Sequence, residues 1–189
     1  MATTSFKAPF PIVQIAFVVP DARAAAIAHS ERYRSGPFYL VEHYPLYVHR
    51  YRGTDSPLDV TSCYGQWGNV TAEFIQQHDD QPSAYRDLVA KGEARLHHFA
   101  QFVDDFAAEM ARYKSEGCAA ALYAEAIPGL GYAIMDTSKQ LGVMTELYEE
   151  WSVRPLYDYM KRTAADWDGC NPVRPLDFTE LATPVPPAS

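Results

Sequence analysis

The sequence predicts an α+β fold: two βαβββ modules forming a cupped mixed sheet, followed by a C-terminal helical extension. Three observations carry the prediction. VQIAFVVPDARAA, starting at Val13, lies over HHFAQFVDDFAAE, starting at His97, without a gap, and self-similarity of this kind marks a repeated structural unit. TAEFIQQ around Glu73 likewise corresponds to MTELYEE around Glu146, so each unit ends on an alternating strand with a carboxylate near its centre. After Trp151 the pattern stops.

Each copy opens on a short apolar strand and turns into a helix. Asp21 and Asp105 stand where N-caps belong, before DARAAAIAHSERY and DFAAEMARYKSEG, the second closing on Gly117, because a short side-chain oxygen satisfies the first free helix amides and glycine suits the turn that ends it. In the first module YLVEHYPLYVHRY and DVTSCYGQWGNVTAEF follow as β segments, with GQWGN as a turn. LYAEA and YAIMDT take their places in the second, joined by PGLG. The modules cover residues 10–80 and 95–150, and HDDQPSAYRD between them reads as a polar loop and short helix. Residues 151–189 are the extension, a helix over VRPLYDYMKRTAADWDG and a Pro-rich tail, ATPVPPAS.

A chain of 189 residues with 48% hydrophobic content can bury a substantial core. Its formal net charge of −8 argues against nucleic acid or an anionic membrane as partner, since those surfaces select clustered Lys and Arg. A small molecule is the expected partner, with a homodimer left open. MATTSFKAPF lacks the regions of a signal peptide, and no apolar run reaches membrane-span length, so a cytoplasmic location is expected. Cys63, Cys118 and Cys170 are too few and too scattered for a disulfide framework or a cysteine zinc site, and read as free thiols.

Strand parity then selects four polar residues. Side chains alternate across a strand, so Val13, Ile15, Phe17 and Val19 are expected on the helix side while Gln14 faces the inside of the cup. The same count turns Glu73, His98 and Glu146 inward. One imidazole, two carboxylates and an amide oxygen make a donor set suited to one divalent ion, Zn, Ni, Co, Mn or Fe(II). A single such residue is more often a satisfied polar group than a ligand; their repeat-equivalent positions set these four apart. Parity puts His97 on the helix side, bonded to backbone, where its removal should mainly lower stability. Tyr44, Tyr47, Tyr64, Trp67 and Tyr132 lie near the cup strands, with Tyr64, Trp67 and Tyr132 as candidate substrate-binding residues, although tyrosines at sheet edges equally often only fill space.

VQIAFVVPDA, VTAEFIQQ, GEARLHHFAQFVDD and GVMTELYE resemble the vicinal oxygen chelate superfamily, the glyoxalase, bleomycin-resistance and dioxygenase-like proteins, and within it methylmalonyl-CoA epimerase-like and glyoxalase-like members. The resemblance covers about residues 10–150. It implies the glyoxalase-type cupped fold, metal ligands at Gln14, Glu73, His98 and Glu146, and catalysis through Glu146 or Glu73. It further implies a lyase or isomerase, glyoxalase- or epimerase-like, acting through a metal-stabilised enolate on a small hydrophobic or aromatic carbonyl or acyl-thioester compound. Two departures matter: the DVTSCY strand offers Thr61, Ser62 or Cys63 where epimerases of the family carry a second catalytic Glu, and the arginines with which glyoxalase I holds glutathione have no counterpart beyond Arg95. An Fe(II)-dependent extradiol-type dioxygenase and a metal-free drug- or metabolite-binding protein are the alternatives on the same fold.

Overall fold

The computed structural model describes residues 10–181 and 183–184; the N-terminal stretch read for a signal peptide and most of the Pro-rich tail lie outside them. Chain order is β1 (Ile12–Val18), α1 (Ala22–Tyr33), β2 (Phe38–Val41), β3 (Val48–Tyr51), β4 (Thr54–Asp55), β5 (Val60–Trp67), β6 (Val70–Gln77) and α2 (Ala84–Leu88). The second half runs β7 (Arg95–Val103), α3 (Phe106–Ser115), β8 (Ala120–Ile127), β9 (Leu130–Met135), α4 (Ser138–Leu141), β10 (Met144–Glu149), α5 (Glu150–Ala165), β11 (Val173–Pro175) and a 3-10 turn at Phe178–Glu180.

One mixed sheet holds every described strand, in the order β11-β2-β5-β6-β1-β7-β10-β9-β8-β3-β4. At its centre the two opening strands, β1 and β7, pair antiparallel. Each is flanked by the closing strand of its own module in parallel, β6 beside β1 and β10 beside β7. The four candidate ligands therefore sit on four adjacent strands. The helices start as the repeat predicts: Asp21 Oδ1 accepts from the Ala24 amide at 2.8 Å and Asp105 Oδ1 from the Ala108 amide at 2.9 Å, and Gly117 follows α3 at φ +85°.

The segment YLVEHYPLYVHRY is not one β unit of the first module. Pro45 and the left-handed His43, at φ 48°, break it, because proline cannot donate to a ladder and positive φ bends the chain out of the sheet. β3 then crosses to the far edge and pairs with β8 of the second half. The extension also does more than add a helix, since β11 returns to pair parallel with β2 at the opposite edge.

The two faces of the sheet bury different sets. On the α1 side, Ala22, Ala26, Phe38, Leu40, Cys63, Ala72 and Phe74 pack together; on the other, Ala16, Val18, Val60, Ile75, Tyr85, Leu122 and Met144 do so. Gly65 belongs to the first packing, where a Cβ would collide with the buried Phe38 ring. Gly65→Ala is therefore expected to cost about 1–3 kcal/mol through overpacking; an unchanged midpoint and slope in urea unfolding would contradict it. Cys63 and Cys118 are buried and Cys170 exposed, all as free thiols. Among the described residues no helix is long and apolar enough to cross a membrane.

Candidate metal centre and substrate cavity

Two cross-strand rows build the centre. Glu73, Ala16 and His98 are neighbours in one, Gln14, Ala100 and Glu146 in the other. Ala16 and Ala100, equivalent in the repeat, are fully buried, and their small side chains leave the space above them to the four polar groups. Gln14, Glu73, His98 and Glu146 are all buried, none more than 4% exposed.

The donors converge. His98 Nε2 lies 3.0 Å from Glu146 Oε2 and 3.7 Å from Glu73 Oε2, and one ligand atom from each of the three fits within 4.8 Å of the others. Ligands held at about 2.1 Å around one tetrahedral ion stand roughly 3.4 Å apart, so this trio fits a single divalent cation with little movement. Gln14 is placed differently from the amide-oxygen ligand the sequence suggests. Its Nε2 donates to Glu73 Oε2 at 2.5 Å, while its Oε1 accepts from the Tyr157 hydroxyl at 2.6 Å and from Thr71 Oγ1 at 3.3 Å. Ligation through Oε1 would require the amide to turn over and both hydroxyls to change partners.

His97 corrects the parity argument. The β1–β7 register skips it, pairing Ala16 with His98 and Phe17 with Leu96, and such a bulge re-aims the extra side chain. The ring sits against Tyr85 of α2, Nε2 donates to the Ala84 carbonyl at 2.9 Å, and Nδ1 is 2.9 Å from His98 Nδ1. With its one proton spent on Ala84, neutral His97 accepts from His98 Nδ1–H, which leaves the His98 Nε2 lone pair facing the two carboxylates. That is the orientation a metal-ligating imidazole needs, and a backbone-anchored partner is how such rings are commonly fixed.

Burial sets the protonation of the cluster. It pushes the Glu73 carboxyl up to about 7, helped by the charge of Glu146 and opposed by His98 and by hydrogen bonds from Ser62 and Tyr64. It pushes Glu146 up to about 8, with Tyr148 as the opposing hydrogen bond, and holds His98 down at about 4 and His97 at about 3. A raised carboxyl contributes stability in acid that is lost as pH rises through its folded value; a depressed imidazole contributes stability above its ordinary value of 6.5, lost as pH falls. Above pH 6.5 the carboxyls act alone. Chelator-treated protein should therefore lose thermal stability from pH 6.5 to 8, and a melting temperature flat or rising over that window would contradict these placements.

A cavity of about 300 Å³ opens from the cluster, with Gln14, Glu73 and Glu146 in its wall, at the small end of ligand-binding clefts. Tyr64, Tyr132 and Tyr44 line it. Trp67 does not. It lies on the α1 face, its ring 4.7 Å from His29 and 5.3 Å from Tyr33, because β5 parity turns Ser62 and Tyr64 into the cup and Cys63, Gly65 and Trp67 away from it. Tyr47 is 70% exposed. Sequence reasoning missed Tyr85 from α2, Tyr148 from β10 and Tyr157 from α5, which all line the cavity. Parity from Glu146 reaches Tyr148; the other two come from helices whose docking no local pattern specifies.

The model of the family described as the Glyoxalase/Bleomycin resistance protein/Dioxygenase superfamily matches residues 13–133. The chain belongs to this superfamily. The match takes in Gln14, Glu73 and His98 and stops before Glu146. Solved structures similar to this superfamily member include a selenomethionine methylmalonyl-CoA epimerase at 19% identity and TM-score 0.47, covering 76% of this chain and 97% of that one. Methylmalonyl-CoA epimerase from Mycobacterium tuberculosis is 14% identical, with TM-score 0.49 and coverage of 73% and 86%. A variant of 4-hydroxymandelate synthase from Streptomyces coelicolor is 18% identical over 75% of this chain and 38% of that one, with TM-score 0.55. At these identities the likeness is one of fold. No curated protein matches the sequence.

Proposed function

We propose that the protein is a metal-dependent lyase or isomerase that moves a proton beside the carbonyl group of a small hydrophobic substrate. The observation that carries this reading is the convergence of Glu73, His98 and Glu146 on one point, with both carboxylates in the wall of a largely apolar cavity. A divalent ion bound by these three would supply polarisation of substrate oxygens and stabilise negative charge developing on them. The residues do the rest. His98 is oriented by His97. Glu73, with Gln14, Ser62 and Tyr64 donating to it, is held as a charged ligand, whereas Glu146, opposed by a single hydrogen bond from Tyr148, is the carboxylate free to take and return a proton. Val153, Pro155 and Leu156 of α5 add apolar wall to the cavity, which would limit the access of bulk water to that proton.

A ring-cleaving dioxygenase needs two histidines and one carboxylate. Here the second histidine has both nitrogens engaged, with Ala84 and His98, which disfavours that reading; oxygen uptake with catechols tests it directly. Elemental analysis after growth in metal-supplemented medium is expected to give about one divalent ion per chain. Protein free of stoichiometric metal would overturn the proposal: proton exchange into substrate that persists with a chelator would make it a metal-independent enzyme, and the absence of exchange a metal-free binding protein.

A further inference from the structure

We infer that the substrate is an uncharged aromatic carbonyl compound, with no phosphate or carboxylate handle, a reading that rests on the proposed function and names the substrate class of the same cavity. Among the described residues no lysine, arginine or exposed histidine lines it, and its sole charged side chains are Glu73 and Glu146. Those two carboxylates would cancel the charge of one divalent ion and leave no net positive field to draw in an anion. An anionic group carried inside would lose its water and meet no partner, which disfavours binding strongly.

The walls match a flat neutral guest. Tyr44, Tyr64, Tyr85, Tyr132, Tyr148 and Tyr157 face the space. Each adds aromatic surface to the wall, and three of the hydroxyls are spent on the cluster, Tyr64 on Glu73, Tyr148 on Glu146 and Tyr157 on Gln14. Rings of this kind stack on the flat surface of an aromatic guest. The outer wall comes from Val153, Leu156, Phe178 and Leu181, and Ile127 and Phe178, about half exposed, lie toward the mouth.

A substrate with a long anionic tail would have to lay it over that apolar rim. The adjoining groove beside α5, which shares Pro155 and Thr183 with the cavity, holds Arg154 and Arg162 together with Asp104, Glu150, Asp158 and Glu180. Arg154 is already paired with Glu150 and Asp158, and Arg162 lies over the Tyr159 ring. Four carboxylates against two guanidiniums do not make a phosphate site. A coenzyme A thioester finds no cationic seat for its phosphates in the cavity or in this groove and is therefore a poor fit.

The test is equilibrium binding, by calorimetry, of benzil, of para-carboxybenzil and of propionyl-CoA to protein with one equivalent of added zinc and to chelator-treated protein. Benzil should bind tighter than its carboxylated analogue by ~10-fold or more, as expected for a desolvated anion without a partner, and propionyl-CoA should not compete with it. Equal or tighter binding of either anion, or no binding of benzil, overturns the inference. Benzil bound alike by loaded and stripped protein, with the carboxylated analogue still rejected, supports the substrate class while counting against the metal-dependent function. Ile127→Arg, at a half-exposed rim position that tolerates a long side chain, should shift the preference toward para-carboxybenzil; an unmoved preference would show that the missing cation does not set it.

Discussion

Replacing His98 by alanine is expected to abolish stoichiometric binding of a divalent ion. The imidazole is the one nitrogen donor in the cluster, 3.0 Å from Glu146 and 3.7 Å from Glu73, and without it two buried carboxylates have no means of closing a coordination shell. Glu146→Ala should do the same by leaving two donors. His97→Ala is the more informative variant. Strand parity makes it a core substitution that mainly lowers stability, whereas the bulge makes its Nδ1 the acceptor that fixes the His98 tautomer. Removing an outer partner of this kind typically costs 10–100-fold in metal affinity. Zinc titration of the three variants, each checked for folding by circular dichroism, should rank His98→Ala and Glu146→Ala together and His97→Ala between them and the wild type. Wild-type affinity in His97→Ala would return that residue to a purely packing role.

The repeat explains why so much of the centre was legible. Equivalent positions in two copies fix strand, face and depth together, so Gln14 with His98 and Glu73 with Glu146 could be placed from alternation alone. The exceptions have local causes that alternation does not encode. A one-residue bulge reversed His97, and a proline with a left-handed histidine sent β3 across to the other edge of the sheet. Trp67 was misassigned for the opposite reason: the parity that turns Tyr64 inward turns Trp67 out, and applying the rule along the whole of β5 would have excluded it. Tyr157 was beyond reach. Its contact with Gln14 joins residues from opposite ends of the chain, and α5 shows no repeat partner from which its docking face could be inferred.

Glu146→Gln should separate binding from turnover. The substituted amide keeps an oxygen that can still ligate, so metal is retained in part, but it cannot accept a proton, and loss of a general base typically lowers the rate by about 10²–10⁴-fold. Glu146 is assigned the base because Tyr148 alone donates to it, whereas Glu73 is held by Gln14, Ser62 and Tyr64; and the β5 positions Thr61, Ser62 and Cys63 supply no second carboxylate. Proton transfer on a single face follows, so exchange with solvent should occur without inversion at the carbon. The competing account makes Glu146 a ligand alone and gives the proton to Tyr64 or Tyr132. Both hydroxyls are raised well above the ordinary tyrosine range by burial and by the neighbouring carboxylates, which makes them poor bases at neutral pH. The deciding measurement is solvent-deuterium exchange into a carbonyl substrate at matched metal occupancy: the wild type should exchange and Glu146→Gln should fall by the stated factor, while undiminished exchange in the variant would transfer the role to a tyrosine.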